Sequence, residues 1–336
     1  MTPMSRHFIS PVITALVALG AVFFFGGTAA FFTAALLVLL EVTLSFDNAV
    51  VNAKVLMKMT PRWQQRFLTW GMIIAVLGTR LVLPVLIVSA AAWVSPFLIA
   101  QLAFFSPAEY GALLSNAHEL INAFGAVFLL MISLKYFLDE EKKIHWIHFI
   151  ERHLTIWGRV EALEIFIGLA VLTALSFLVP GDVRAMVLTA GIIGMILFIA
   201  MEGIVSAFSI ETKGQEKASA AGQGLALFIY LNILDSAFSL DGVVGAFALT
   251  SSILAIVVGL GVGAYFVRSL TVYLVEKRSL ESLLYLEHGA HWAIFGLAAS
   301  MFTSLLIPVP EIITGTIGMA FVLAAYYSSL RLNGLK

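Results

Sequence analysis

The sequence predicts an all-α polytopic membrane protein with about ten transmembrane helices, among them two inverted three-helix repeats. Three observations support this fold class. The chain of 336 residues is 61% hydrophobic and only 12% charged, which is far more apolar than an average soluble protein. Apolar runs of about 20 residues, the length that crosses a bilayer as a helix, recur along the chain. Basic residues collect in alternate loops, as they do on the cytoplasmic side of membrane proteins.

Each predicted span is an apolar run bounded by polar or helix-breaking residues. The ten spans are Phe8–Phe25, Thr28–Val55, Phe67–Ala92, Tyr110–Leu138, Val160–Val179, Val183–Phe208, Gly224–Leu249, Ser251–Leu274, His288–Ile307 and Glu311–Leu330. The first run has the alternative interpretation of a secretory signal, but its weakly basic start and the span that follows at once favour a retained helix. The segment Trp93–Ala108, broken by Pro96 and Pro107, is predicted to be re-entrant or interfacial.

These spans divide the chain into six segments. They are an N-terminal transmembrane helix (1–27), a first three-helix repeat (28–138), a cytoplasmic amphipathic loop (139–159), two linking transmembrane helices (160–223), a second, inverted repeat (224–307) and a C-terminal transmembrane helix (308–336). In the amphipathic loop, apolar residues recur at helical spacing among charges, which predicts a helix on the membrane surface. His145 and His148 in this loop are interpreted as part of its solvated face rather than as a metal site.

Basic residues follow every even-numbered span. They are Lys58, Arg62 and Arg66, then Lys142, Lys143, Arg152 and Arg159, then Lys213 and Lys217, then Lys277 and Arg278, and finally Arg331 and Lys336. The loops on the opposite side hold almost no basic residue except Arg184. This pattern predicts a multi-pass protein of the cell (inner) membrane with both termini in the cytoplasm.

Composition excludes several function classes. A net charge of −1, with dispersed lysines and arginines, is not typical of a protein that binds nucleic acid. The absence of cysteine removes thiolate ligands and leaves oxygen and imidazole for metals. No phosphate-binding loop motif is present. Transport by this chain would then be secondary, and the leading interpretation includes neither an organic cofactor nor an enzyme activity.

Two acidic stretches, Glu41–Asn48 and Asp235–Gly242, lie inside long apolar runs. Each begins with an acid, has a serine four residues on and an aspartate six residues on. Three of the five aspartates of the chain lie in these stretches. Ionised carboxylates are costly at membrane depth and are retained there mostly to handle ions or protons. The stretches are therefore the candidate functional residues.

The two stretches belong to helices of opposite predicted direction. Beyond them, Gly71 and Gly259 are each followed nine residues later by an arginine, Arg80 and Arg268. A third pair of helices matches only weakly. Three helices followed by three in the opposite orientation is the plan of many secondary transporters.

A straight helix would point the two acids of one stretch in different directions, so either the helix unwinds near each serine or the acids serve different partners. Inversion would bring Glu41 level with Asp241 and Asp47 level with Asp235. These carboxylates, with oxygens from Ser45, Ser239 and Asn48, suit a hard divalent cation as a transported substrate.

Other ionisable residues have two interpretations. Arg80 and Arg268 are predicted to pair with the acids. His118 and Glu119 near the outer end, and His288 and His291 near the inner end, are either proton-relay residues or helix-end residues that face lipid headgroups.

The two stretches resemble motifs of the TerC family of integral membrane proteins, and more closely a branch of unknown function. The resemblance implies a superfamily of inverted-repeat exporters related to the amino-acid exporter LysE, whose TerC-like and Alx-like members are associated with manganese export and tellurite resistance. The resemblance implies that the metal-handling positions of this chain are Glu41, Asp47, Asn48, Asp235 and Asp241.

The leading interpretation is a secondary transporter that exports Mn²⁺ in exchange for protons, with the lipid bilayer and the metal ion as partners. The alternatives are an exporter of another substrate, such as an amino acid or another ion, an intramembrane aspartyl protease, and a non-transporting membrane scaffold. A homo-oligomer is compatible with each of them.

Overall fold

A computed structural model describes residues 3–160, 162–210, 216–250, 252–276 and 283–334, and all regular structure in these ranges is helical. Six of its helical stretches are long and apolar enough to cross a membrane, and several shorter apolar helices accompany them. The prediction of an all-α polytopic membrane protein is confirmed.

The described residues form fourteen α-helices and one π-helix. They are α1 (Pro3–Leu44), α2 (Phe46–Leu56), α3 (Pro61–Ile73), π1 (Ile74–Val82), α4 (Leu83–Ala92), α5 (Pro96–Phe105), α6 (Pro107–Asn116), α7 (His118–Phe137), α8 (His148–Trp157), α9 (Leu163–Ser176), α10 (Arg184–Ile210), α11 (Glu216–Leu249), α12 (Ile253–Glu276), α13 (Leu286–Ser304) and α14 (Glu311–Gly334).

The chain divides into two compact units. The first unit comprises residues 1–118 and 220–277, and the second comprises 119–219 and 278–336. The boundary falls at the start of α7. Residues 119–138 of the third predicted helix therefore cluster with the second unit, whereas its residues 110–118 and the two acidic stretches belong to the first.

In the first unit, α1 reverses direction at Gly27, which has φ 77° and ψ −177°. Before this residue α1 is antiparallel to α12, because Ser10 hydrogen-bonds Tyr265 at 2.6 Å and Val22 packs near Ala255. Only glycine adopts this backbone conformation without strain. The predicted boundary between the first two spans lies at this turn.

After the turn, α1 is parallel to α12. Leu37 lies against Gly259, and Glu41 lies against Gly263, where an added Cβ atom would come within 2.5 Å of each side chain. The two glycines therefore let the backbones of α1 and α12 approach closely. Helix α12 also packs against α2, α3 and π1, so it is central to this unit.

Two predicted spans of the first repeat differ from single α-helices. The predicted span Phe67–Ala92 contains π1, in which main-chain hydrogen bonds reach back five residues instead of four. The predicted span Tyr110–Leu138 is interrupted at Ala117 (φ −89°, ψ 3°), and α7 begins at His118. The segment near Trp93 forms the short helices α5 and α6, each with a proline in its first turn.

The second unit contains α7, α8, α9, α10, α13 and α14. Helix α7 is buried along most of its length, and α13 packs closely on α14, where an added Cβ atom on Gly289 would lie 2.4 Å from Ala325. Helix α9 has 14 residues and is about 21 Å long, which is shorter than the predicted span Val160–Val179 and than the hydrocarbon core.

Candidate functional site

The first acidic stretch forms a buried polar face on α1 and α2. Glu41, Ser45, Asn48 and Asn52 follow one another at helical spacings of four, three and four residues, and all four side chains are buried. Ser45 separates the two helices, with φ −100° and ψ 16°. The hydrogen bonds from Ser45 N to Glu41 O and from Ala49 N to Ser45 O persist, so the helix is distorted here but not interrupted.

The second stretch has no such distortion, because α11 continues through Ser239 as a regular helix. The predicted unwinding near each serine is therefore observed, in mild form, only in the first stretch. Ser239 is buried, and Asp235 is half-buried.

The carboxylate of Glu41 has two side-chain donors within the membrane helices. Its Oε1 atom accepts a hydrogen bond from the Ser45 hydroxyl at 3.1 Å and another from Nη2 of Arg80. Nη1 of Arg80 donates to the main-chain oxygen of Ala75 at 2.6 Å, inside π1. Arg80 is buried, so this is an ion pair shielded from water.

Arg268 occupies the corresponding position in the second predicted repeat. Its guanidinium lies 4.2 Å from the centre of the Phe67 ring and donates to the Phe67 main-chain oxygen. It fits there because Gly71 has no side chain, since an added Cβ atom would lie 2.8 Å from Nη1 of Arg268. Asp235 lines the same small cavity as Arg268. The first acid of each stretch thus lies close to the arginine of its own predicted repeat.

A small cavity joins these groups. Its water-accessible volume is about 10 Å³, room for about one water molecule. Its lining consists of Glu41, Ser45, Asn52, Phe67, Ala75, Arg80, Asp235, Ala264, Val267, Arg268 and Thr271. Two acids and two arginines face it, so their formal charges cancel.

Several buried polar atoms in this unit have no hydrogen-bond partner among the described residues. They are Oδ1 of Asn48, Oδ1 of Asn52, Nε of Arg80 and Oγ of Ser239. Unpartnered polar atoms are uncommon in protein interiors because each one costs free energy on burial. Three of the four atoms are uncharged oxygens, and hard cations prefer oxygen ligands.

The remaining predicted acids have separate outcomes. Asp47 is buried near the start of α2, two residues after the distortion at Ser45. The side chain of Asp241 lies outside the described residues. The next residue, Gly242, is close to the first stretch, because an added Cβ atom there would lie 3.5 Å from Oε2 of Glu41. Helix α11 therefore approaches Glu41 next to Asp241, and the predicted four-carboxylate arrangement stays a prediction.

Among the side chains that the structure describes, no three histidines or acids lie close enough together to hold a metal ion. Metal binding at this site would therefore depend on neutral oxygens as well as carboxylates. It would also compete with Arg80 for Glu41, because the guanidinium already contacts that carboxylate.

The predicted relay residues lie near the starts of two helices, α7 and α13. His118 and Glu119 are partly exposed at the start of α7. His288 and His291 lie in the first turns of α13, and both have partners. Nδ1 of His288 is 2.7 Å from Oε2 of Glu151, and Nδ1 of His291 donates to the Glu287 main-chain oxygen at 2.8 Å. The relay interpretation stays a prediction.

Glu151 is the residue that the sequence interpretation missed. This acid of α8 is 0% exposed, although the amphipathic loop was expected to be solvated around its charges. Its carboxylate accepts hydrogen bonds from Nε1 of Trp292 at 2.9 Å and from the main-chain N–H of Trp146 at 3.1 Å. The signal was its position, since Glu151 lies four residues after Ile147 and three before Leu154, within the apolar face of the loop.

Lys142 completes the Glu151 cluster. Its Nζ atom is 3.1 Å from Oε2 of Glu151 without hydrogen-bond geometry, and it lies 4.0 Å from the centre of the Tyr136 ring. Burial favours the neutral form of Glu151, but the hydrogen bonds from His288 and Trp292 outweigh it and hold the pKa of Glu151 below its usual range. Burial lowers the pKa of Lys142, and Glu151 opposes this shift.

The two histidines of the amphipathic loop and the acid Glu202 of α10 all lie in the second unit. The rings of His145 and His148 have their centres 6.1 Å apart and pack edge to face. Glu202 lies 3.8 Å from Lys135, and both side chains are more than one-third exposed in the second unit.

A family model described as a protein of unknown function (DUF475) matches residues 46–336. The match contains both arginines, the second acidic stretch and the part of the first stretch from Phe46 onward, whereas Glu41 and Ser45 precede it. No curated protein and no solved structure matches the chain.

Proposed function

We propose that this chain, which belongs to the DUF475 family of proteins of unknown function, is a secondary transporter of hard divalent cations. Mn²⁺ is the first cation to test, with efflux coupled to protons. In this proposal the protein resides in the cell (inner) membrane with both termini in the cytoplasm, because basic residues collect on that side.

One observation carries the proposal. Buried side-chain oxygens of α2 and α11, one helix from each predicted repeat, have no hydrogen-bond partner among the described residues, and those of Asn48 and Ser239 are the candidate ligands. They lie on the same helices as the membrane acids. Oxygen-only ligands favour Mn²⁺, Mg²⁺ or Ca²⁺ over metals that prefer sulfur or imidazole.

The charge balance supports a divalent ion. Arg80 pairs with Glu41, and Arg268 lines the same small cavity as Asp235. If each arginine compensates one acid, Asp47 and Asp241 remain as two carboxylates to balance two positive charges. A lone acid is expensive at membrane depth, so a bound cation would offset part of the cost of keeping both.

The test is a flux measurement with the purified protein in proteoliposomes under an imposed pH gradient. Mn²⁺, Mg²⁺, Ca²⁺ and Zn²⁺ are compared, and Mn²⁺ movement driven by the gradient is expected. Asp47→Asn and Asp241→Asn should each abolish it, while Asp182→Asn, in an exposed loop between α9 and α10, should leave it unchanged. Flux that survives both membrane substitutions contradicts the site assignment.

A scaffold function is the second candidate, and the ion pair of Glu41 with Arg80 favours it. Charged side chains that compensate each other between helices can serve packing alone. A scaffold would give no flux for any cation, and Asp47→Asn would then change only the stability of the protein.

A further inference from the structure

We propose that Asn52 is the second acceptor for the guanidinium of Arg80, which moves from Glu41 to Asn52 when a cation binds Glu41. The inference rests on the proposed transport function and deepens it. It explains how the Glu41 carboxylate can pair with the Arg80 guanidinium in one state and bind the metal ion in another.

Arg80 has to yield if Glu41 is to bind a metal ion. Oε1 of Glu41 already accepts hydrogen bonds from Ser45 and Arg80. A metal ion at the same carboxylate would place two positive charges side by side in a buried region, where their repulsion is weakly screened. The guanidinium therefore has to find another acceptor nearby, because an unpaired buried charge is costly.

The cavity supplies this acceptor. Arg80 and Asn52 both line it, and each contributes an atom without a partner among the described residues, the Nε–H donor of Arg80 and the Oδ1 acceptor of Asn52. Asn52 is 3% exposed and carries no charge. Asp235 lines the same cavity and adds a favourable negative charge for an approaching guanidinium.

A direct role of Asn52 as a metal ligand is less consistent with this lining. Arg268 also faces the cavity, and the two acids and two arginines cancel in formal charge. A metal ion at Asn52 would meet both guanidiniums, whereas Oε2 of Glu41 lies toward Gly242 of α11, and a shift of Arg80 within the cavity adds no new charge to it.

The experiment is a double-mutant cycle on Mn²⁺ binding, measured by calorimetry on the full chain in lipid nanodiscs. Asn52→Leu removes the second acceptor and should weaken Mn²⁺ binding about tenfold or more. In an Arg80→Gln background, where no guanidinium has to move, the same substitution should have almost no effect. Asn232→Leu is the matched control, because Nδ2 of Asn232 donates to Phe228 O on its own helix and Asn232 does not line the cavity.

Asn52→Asp tests the direction of the effect with little change in volume. A carboxylate attracts Arg80 more strongly than an amide, so Mn²⁺ binding should tighten, and this gain should also vanish in the Arg80→Gln background. It stands in for Asn52→Leu if that variant does not fold. Effects of Asn52 substitutions that persist when Arg80 is absent overturn the inference. If the wild-type protein shows neither Mn²⁺ binding nor Mn²⁺ flux, the proposed function is refuted, and the inference with it.

Discussion

Glu41 and Arg80, 39 residues apart, form an ion pair in which neither side chain is more than 5% exposed. The pair links the end of α1 to π1. Two charges of opposite sign are thus kept away from water between helices that are otherwise apolar. The pair lowers the cost of inserting both residues into the membrane. It also means that the Arg80 guanidinium already occupies the carboxylate that the proposed metal substrate would bind.

Arg80→Ala is expected to destabilise the protein strongly, because it leaves the Glu41 carboxylate buried without a counter-charge. The expected loss in the free energy of unfolding is about 3–5 kcal/mol. Denaturant titration in detergent measures it. Glu41→Gln introduced together with Arg80→Ala should recover a large part of the loss.

Lys135→Ala provides the matched control for this prediction. It breaks the pair of Lys135 with Glu202, which is 3.8 Å long and whose side chains are 54% and 37% exposed. Partly exposed pairs contribute about 0–1 kcal/mol. Equal losses in the free energy of unfolding for Arg80→Ala and Lys135→Ala would show that the buried pair stabilises the protein no more than the exposed pair does.

Gly263→Ala is expected to separate α12 from α1, because the added Cβ atom would lie 2.5 Å from Cβ and Cγ of Glu41. Overpacking of this kind costs about 1–3 kcal/mol. Thermal unfolding should show a lower midpoint. The control is Gly20→Ala in α1, where the added Cβ atom would meet nothing within 4 Å and the change should be neutral or slightly stabilising. A higher midpoint for Gly263→Ala would disprove the close approach.

Trp292→Phe should weaken the attachment of α8 to α13, because it removes the indole N–H that donates to Glu151. Hydrogen bonds to charged groups contribute about 1.5–3 kcal/mol. Limited proteolysis of the loop 139–159 measures the attachment, and cleavage should become faster. Trp157→Phe, at a side chain that is 61% exposed, should leave the cleavage rate unchanged. Identical rates for both variants would contradict the role of the indole.

The contribution of Glu151 to stability is expected to depend on pH in one direction. Its pKa is held below the usual value by hydrogen bonds from His288 and Trp292, which outweigh the effect of burial. Stability linked to a lowered carboxylate pKa is fully present above the ordinary value of about 4.3 and declines as the pH falls below it.

The measurement compares the unfolding free energies of the wild type and Glu151→Gln across this range. The difference should stay constant from about pH 8 to about pH 5 and shrink at lower pH. Glu140→Gln, at an exposed position of the same loop, should show no such trend. A difference that grows as the pH falls would contradict the assigned direction.

The apolar runs were sufficient to predict the membrane class and most of the long helices. The glycines at 26 and 27 separated two runs, and the structure places a reversal of the chain at Gly27. The association of membrane arginines with acids also followed from sequence, because a charge in hydrocarbon needs a partner. Arg80 and Glu41 satisfy this expectation directly.

Two features had no adequate sequence signal. Residues 67–92 read as one continuous apolar run, and no residue type marks the change from α-helix to π-helix at Ile74. The burial of Glu151 depends on His288, which is 137 residues away in the chain and is brought close only by tertiary packing. The spacing of Glu151 from Ile147 and Leu154 is compatible with the apolar face of its helix, but this spacing does not reveal which donors satisfy the carboxylate there.

The π-helix also sets the direction in which Arg80 points. Main-chain hydrogen bonds in π1 reach back five residues instead of four, so each of its turns holds more residues than a turn of α-helix. Side chains from Ile74 to Val82 are therefore rotated about the helix axis relative to a regular α-helix of the same sequence. A continuous α-helix through this span would point Arg80 in a different direction from the one in which it meets Glu41, so the wide turn and the ion pair belong together.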